Sequence, residues 1–323
     1  MSGFLTTKRT IGFRLEASAY TAEDLTSGEN AFGLSAYDVS YDVDVPAKDR
    51  KLARGDFSHD PSVAGKRAVT ISFKIDIAYS GTLQTPPQYF VCLQACGLKQ
   101  IIYGTTGVEL LTDAAYSNVP ATIEVIEKDE GTSPSQLVIK AAGCMGNAKF
   151  VLSSVGTPIA IEFSFKGRLV SVTDRAFASI MTPTGFSITQ PDAVLGVTTT
   201  IFSESAKYDK ITIDLGNDVQ LFTNPADASG YEGARVVNRD PKLEIDPDLM
   251  LRATNDSYTR HINNTTGAFS LMTSRFTISA PKAQFEQTMK VGDREGHVVH
   301  NMKFGLRRNL GNDELSILQG SRS

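Results

Sequence analysis

Residues Val69 to Tyr79 read "VTISFKIDIAY", an alternation of apolar and polar side chains with hardly a fault. Val69, Ile71, Phe73, Ile75 and Ile77 fall in one phase; Thr70, Ser72, Lys74 and Asp76 fall in the other. Successive side chains of an extended chain point to opposite faces, so this period specifies a strand with one face on a core and one in water. The pattern returns in short runs separated by Gly, Pro, Asn and Asp, and it predicts a mainly β fold.

With 323 residues the chain is long enough for two domains and a substantial core. Hydrophobic residues at 41% and charged residues at 21% are ordinary for a globular protein, and a net charge of −4 gives no global basic field for nucleic acid or membrane surfaces. No run of eighteen apolar residues occurs, so no membrane-spanning segment is expected. The start "MSGFLTTKRT" lacks the apolar stretch of a secretory signal, which predicts a protein made in a cytoplasm and kept there or exported without a cleaved leader. Cys92, Cys96 and Cys144 make no disulfide framework. The first two, in "PQYFVCLQACGL", lie four apart on an expected short helix with Phe90, Leu93 and Ala95. They read as buried thiols, because no His or Cys cluster completes a metal site.

Segments of the first half recur in the second, in the same order. "YDVSYDVDV" (Tyr37 to Val45) is echoed by "YDKITIDLG" (Tyr208 to Gly216), and "GKRAVTISFKIDI" by "GARVVNRDPKLEID" from Gly233. Each is followed by a Pro-led helical stretch, "PPQYFVCLQACGL" and "DPDLMLRATND". "NAKFVLSS" (from Asn147) then pairs with "TSRFTISA" (from Thr273), and "IEFSFKGRL" with "HNMKFGLRR". A duplicated unit of strand, long loop, strand, helix, hairpin and strand accounts for the order. The join falls in "FASIMTPTGFSITQPD", where Pro183 and Gly185 interrupt the pattern. Two tandem domains are expected, residues 1–180 and 181–323. The long loops Pro46 to Gly65 and Asn217 to Gly233 occupy matching places. The first carries Lys48, Asp49, Arg50, Lys51, Arg54, Asp56 and Asp60, and reads either as a solvated loop or as a protein contact arm.

Catalytic chemistry needs converging titratable groups. His59, His261, His297 and His300 are scattered. "HVVH" lies in an expected strand, where its two rings take opposite faces. No phosphate-cradling loop, nucleophile elbow or HExxH occurs. The acidic run "EVIEKDEG" is expected to end a strand and enter a hairpin returning through "SQLVIKAAG", as a solvated charge run rather than a carboxylate pair for glycoside chemistry. The sequence therefore predicts no enzyme and no cofactor.

The ordered segments "VAGKRAVTISFKIDI", "SGTLQTPPQYFVCLQACGL", "ITIDLGNDV", "VVNRDPKLEID", "TTGAFSLM", "FTISAPKAQF" and "GNDELSI" resemble the tail tube (major tail) proteins of long, non-contractile-tailed bacteriophages. The likeness runs from about Gly12 to Ile317 and rests on order rather than on one diagnostic motif. It implies β-sandwich or half-barrel domains, each with one flanking helix. It also implies rings stacked into a hollow tube that conducts double-stranded DNA, with the long loop reaching the next ring. Two domains per chain imply trimeric rings with pseudo-six-fold symmetry. The implied partners are other copies of the chain, a tape-measure protein, a tail terminator and distal tail proteins. The implied location is the virion, after assembly in the bacterial cytoplasm. A carbohydrate-binding or adhesive β-sandwich of a tail decoration or fibre is the alternative, and a hydrolase on a β scaffold is a more distant one.

On the tube reading the polar phase faces the channel: Thr70, Ser72, Lys74 and Asp76; Glu162, Ser164 and Lys166; Lys242, Glu244 and Asp246; Asn301, Lys303 and Arg307. This set contains five basic and four acidic residues, whereas channels of this family tend to be acidic. Either some of these cations are paired across strands or one strand's parity is misassigned.

Overall fold

The computed structural model describes residues 9–25, 32–50, 61–112, 119–129, 135–176, 190–286 and 290–322. Its first half contains β1 (Thr10–Leu15), β2 (Phe32–Leu34), β3 (Tyr37–Asp44), β4 (Ala47–Lys48), β5 (Val63–Ala64) and β6 (Ala68–Asp76), then the helix α1 (Tyr89–Ala95). β7 (Lys99–Tyr103), β8 (Gly107–Leu111), β9 (Ala121–Lys128), β10 (Ser135–Leu152) and β11 (Ala160–Ala176) complete it. The second half begins with β12 (Thr198–Ile201), β13 (Glu204–Ser205), β14 (Ile211–Asp214), β15 (Asn217–Thr223), β16 (Tyr231–Arg239) and β17 (Lys242–Ile245). The helix α2 (Ser257–Ile262), β18 (Thr266–Met272), β19 (Phe276–Phe285), β20 (Lys290–Arg294), β21 (His297–Arg307) and β22 (Ser316–Gly320) follow. The fold is mainly β with antiparallel ladders, as the alternation predicts.

One sheet crosses both halves. Its ladders run β3, β6, β11, β10, β14, β17, β21, and then β20 with the last residues of β19. The halves meet where Lys149–Leu152 of β10 pair with Asp214–Ile211 of β14. β10 and β11 are long because they bend. Register shifts at Lys140/Ala141 and between Ala142 and Met145 turn them out of this sheet and into a flanking one, where β10 pairs with β9 and β9 with β1. Bulges add local twist and redirect strands in this way. In the second half β12, β18, β19 and β22 form the matching flank, onto which β8 of the first half is added. Traced pair by pair, the described ladders branch but never return to their starting strand, which leaves β3 and β20 as ends.

The pairing order itself repeats. β3–β6–β11–β10 in the first half matches β14–β17–β21–β19/β20 in the second, and the β1–β9–β10 flank matches β12–β18–β19. Two echoes need adjustment. Asn147–Leu152 lies in the late part of β10, while Thr273 to Ala280 covers the early part of β19; the topological match of the former is Lys282 onward. The second helix also begins after "DPDLMLRATND" rather than within it. Asp256 caps it, its carboxylate accepting from the Thr259 N–H at 3.0 Å, which supplies an acceptor for an otherwise unpaired first-turn donor.

Val69, Ile71, Phe73, Ile75 and Ile77 are at most 3% exposed. They share one core with Phe90, Cys92, Leu93 and Cys96 of the α1 region and with Ile213, Leu243, Phe304 and Ile317 of the second half. Burial of this continuous apolar area is the dominant stabilising contribution. The 180/181 boundary lies outside the described residues, and the core runs through both halves. The three cysteines are buried, and burial pushes their thiols up, as expected of structural residues.

Candidate functional site: a polar sheet face and two arms

The polar phase of the continuous sheet makes a band whose charges alternate across strands. Pairing register aligns Lys74, Glu162, Lys149, Asp214 and Lys242 on successive strands β6, β11, β10, β14 and β17. Directly opposed side chains of an antiparallel pair share a face, so each cation lies beside a carboxylate; such pairs are worth roughly 0.2–1 kcal/mol each. Lys74 Nζ is 3.3 Å from both Asp38 and Glu162, and hydrogen bonds to these two raise its pKa. The Asn147 amide donates to Asp214 at 2.7 Å. Farther along, Lys303 meets Glu244 at 2.7 Å, and Lys242 meets Asp240 and Glu286 at 2.5 Å. Arg307 completes this cluster through the same Asp240 and Glu286. Asp240 is held below the usual carboxylate range chiefly by its bond from Lys242.

Every polar-phase residue named from the sequence falls on partly or fully exposed surface: Thr70, Ser72, Lys74, Asp76, Glu162 and Lys242, together with Asp246, Lys303 and Arg307, are intermediate, and Ser164, Lys166, Glu244 and Asn301 are exposed. Cross-strand pairing thus explains the apparent cationic excess for Lys74, Lys242, Lys303 and Arg307. Asp76 accepts from the Tyr37 hydroxyl at 2.8 Å, and Ser72 lies opposite Ser164. Asp246 is committed locally, taking the Lys210 N–H at 2.8 Å and the Arg294 guanidinium at 3.4 Å. Two depressions lie along the band. One, of 410 Å³, is bordered by Ser40, Lys74, Asn147, Lys149, Glu162 and Asp214; the other, of 310 Å³, by Lys210, Thr212, Glu244, Lys290, Asn301 and Lys303. Sequence reading missed Lys149, Asp214, Asp38 and Glu286, which only cross-strand register brings to this face.

The two long loops differ. Asn217 to Gly233 is not a structureless loop: most of it belongs to the β15–β16 hairpin, here arm 2, which folds back on the first half. Val219, Ala234 and Val236 cover Met145 of β10, which has no exposed surface. Arg168 of β11 binds Asp227 at 2.8 Å and the Tyr20 carbonyl at 2.9 Å. Asn217 donates to the carbonyls of Cys96 and Gly146, and Arg239 to that of Gly97. The crossing is tight at two glycines. A Cβ on Gly143 (φ +61°) would lie 2.8 Å from Gly233 Cα, and one on Gly233 would lie 2.2 Å from the Tyr20 ring. Asp227 is partly buried, which opposes ionisation, yet hydrogen bonds from Ser229 and the Arg168 charge hold its carboxyl below the usual range.

Arm 1, Pro46 to Gly65, has a short ladder at its base, Ala47–Lys48 against Ala64–Val63. Lys48, Asp49 and Arg50 are exposed, and Val63 is 55% exposed. Lys51, Arg54, Asp56 and Asp60 of the expected contact set lie outside the described residues, as does His59.

The other sequence candidates do not converge. Glu124 and Glu127 of "EVIEKDEG" are buried in β9 rather than solvated. Glu124 is met by Lys140 at 3.4 Å and Arg175 at 3.2 Å, and Glu127 by Arg9 at 2.6 Å. The run does lead through β9 into β10, as expected. His297 is exposed and His300 buried, on opposite faces of β21; His300 faces the Tyr258 hydroxyl at 3.0 Å, and burial lowers its pKa. His261 lies in α2. Among the described residues no group of three or more His, Cys, Asp or Glu could hold a metal, and no helix is long and apolar enough to cross a membrane.

No family model matches the chain, and no curated protein matches it.

Proposed function

We propose that this chain is a structural subunit of a bacteriophage tail tube, the hollow conduit for double-stranded DNA in long, non-contractile tails. The observation that carries the reading is the continuous sheet: one face on the core, the other a band of alternating charges, and at each end a strand that, among the described residues, has a ladder on one side alone. A sheet with open edges is a template for pairing with another copy, and closure into a barrel removes the edges. The repeated pairing order favours two tube domains per chain, 1–180 and 181–323, and hence trimeric rings with pseudo-six-fold symmetry. The polar face then lines the channel. Lys and Arg bind DNA by releasing phosphate counterions. Cations already bonded to carboxylates, as Lys74, Lys242, Lys303 and Arg307 are, hold the passing duplex less. The partners on this reading are copies of the chain, a tape-measure protein, a tail terminator and distal tail proteins, and the location is the virion.

Negative-stain microscopy of the purified, concentrated protein tests the proposal: hollow rods of uniform width are expected. A monodisperse monomer under all conditions, or solid fibres with no channel, contradicts it. Changing Asp76, Glu162 and Glu244 together to Lys should preserve rods and make them retain DNA in a salt-sensitive way.

A further inference from the structure

The two halves are joined by ladders at two places. The first is the β10–β14 pairing in the main sheet. The second lies in the flank, where β22 stands between the halves: one edge pairs with the start of β19 and the other with β8. Among the described residues the β7–β8 hairpin has no other ladder, so β22 alone ties it into a sheet.

β22 is built as a strap. It follows an exposed connector in which Leu310 is 92% exposed. There the Asp313 carboxylate accepts from the N–H groups of Asn309, Leu310 and Gly311 at 2.8, 3.0 and 3.4 Å, turning the chain back as short Asp side chains do in turns. Two polar catches then hold the strap to the first half. Gln319, 1% exposed, places its amide nitrogen 3.0–3.3 Å from four oxygens of the loop before α1: the Ser80 hydroxyl and the carbonyls of Thr82, Leu83 and Thr85. Just beyond β22, Arg322 Nε reaches both carboxylate oxygens of Glu109 on β8, at 3.2 and 3.1 Å. The Tyr103 hydroxyl donates to the same carboxylate at 2.7 Å. Burial opposes ionisation of Glu109, yet these bonds hold its carboxyl below the usual range. A buried carboxylate or carbonyl stripped of its partner is costly, so breaking a catch favours opening of the whole strap over a half-made contact.

We infer that residues 315–322 are a releasable clasp. Docked, they fix the β7–β8 hairpin and the loop before α1 against the second half; released, they free those elements while the main sheet stays intact. The main sheet can outlast release because β22 pairs only with β8 and with the opening residues of β19, both in the flank. Leu315 and Ile317, buried in the common core, keep the clasp closed in the resting chain. Opening of such a unit below the cost of global unfolding is the ordinary behaviour of a locally held element. The clasp belongs to the single chain, and its test is independent of any tube.

Hydrogen exchange read by mass spectrometry at one fixed pH tests it on the wild type, Q319M and R322A. Protection of residues 80–85, 99–111 and 315–320 should fall about tenfold or more in each variant, while β6, β11 and β14 stay within about twofold of the wild type. The Arg322 side chain is 55% exposed, so R322A leaves the packing in place and carries the readout even where Q319M does not fold. A lock supplies the converse. Leu111 and Ser316 are directly opposed in the β8–β22 ladder, within disulfide reach. Adding L111C and S316C to R322A should restore protection when oxidised and not when reduced. A loss of protection spread evenly over the chain would show that these contacts serve global stability alone, and overturns the clasp. Unchanged protection in R322A, or an oxidised lock that restores nothing, overturns it as well.

Discussion

The two arms occupy the same place in the repeated order, each leaving the strand that ends one four-strand set, yet they meet different surroundings. Arm 2 is buried against β10 and β11 and is tied by Arg168, Asn217 and Arg239. Arm 1 shows solvent-exposed residues at its base, and just beyond it Lys66 lies over the Tyr231 ring of arm 2 at 5.2 Å and the Arg67 N–H donates to the Ser229 carbonyl at 2.9 Å. Position in the repeat therefore does not decide whether an arm is packed; what lies next to its strand does. Arm 2 follows β14, which is paired to the first half, and so finds β10 and β11 beside it. Arm 1 follows β3, which among the described residues has a ladder on one side alone, to β6; on the proposed tube reading, another chain would supply the missing neighbour.

Deletion breaks this comparison most sharply. Removing Lys48 to Ser62 should leave melting unchanged and abolish assembly, because surface loops are tolerated in folding far better than in assembly. Replacing Val219 to Val236 by a short turn should instead prevent recovery of folded protein, since it uncovers Met145 and strips Arg168 of its carboxylate. Equal effects of the two deletions on melting would refute the distinction. The oligomer left by the arm 1 deletion also locates its contact. Monomers place it within a ring beside the β3 edge, whereas free trimeric rings place it between stacked rings.

Single substitutions sharpen the same contrast. Met145→Ala should lower stability by about 2–5 kcal/mol, as for other buried large side chains, whereas Val63→Ala at the exposed base of arm 1 should change it by less than about 0.5 kcal/mol. Chemical denaturation of the two variants compares them directly. Gly143→Ala should cost about 1–2 kcal/mol for its left-handed backbone alone, plus the displacement of Gly233 opposite. Gly156→Ala, also at positive φ but with open space around it, isolates the backbone part.

The smallest effect is one of pH. The Asp227 carboxyl is depressed in the folded chain, so its contribution is full above its unfolded value and disappears as pH falls through the folded one. Protection of the β15–β16 amides, corrected for the intrinsic slowing of exchange in acid, should therefore fall on acidification from about pH 5 towards pH 3, around the ordinary carboxylate range. In Asp227→Asn this added acid sensitivity should vanish, with protection already lower at pH 5.

Much of this was legible in the sequence. Alternation in Val69 to Ile77 identified β6 and its buried face, and the echoed "YDVSYDVDV" and "YDKITIDLG" identified β3 and β14 as counterparts. Lys149 and Asp214 were not legible as site residues, because their meeting depends on a ladder between halves whose register no local pattern encodes. Nor was the fate of "EVIEKDEG": its partners Lys140, Arg175 and Arg9 come from other strands, and pairing is what makes those carboxylates tolerable inside. Arm 2 read as a loop because its apolar residues, Val219, Leu221 and Val236, are few and cover a small satellite core rather than the main one.

Electron cryo-microscopy of the assembled protein at side-chain resolution tests the central claim most directly. The account predicts a hollow tube with three chains per ring, β20 of each chain beside β3 of the next, and Lys74, Glu162, Lys149, Asp214 and Lys242 facing the channel. Six chains per ring, or a tube with this charged band on its outer surface, would contradict it.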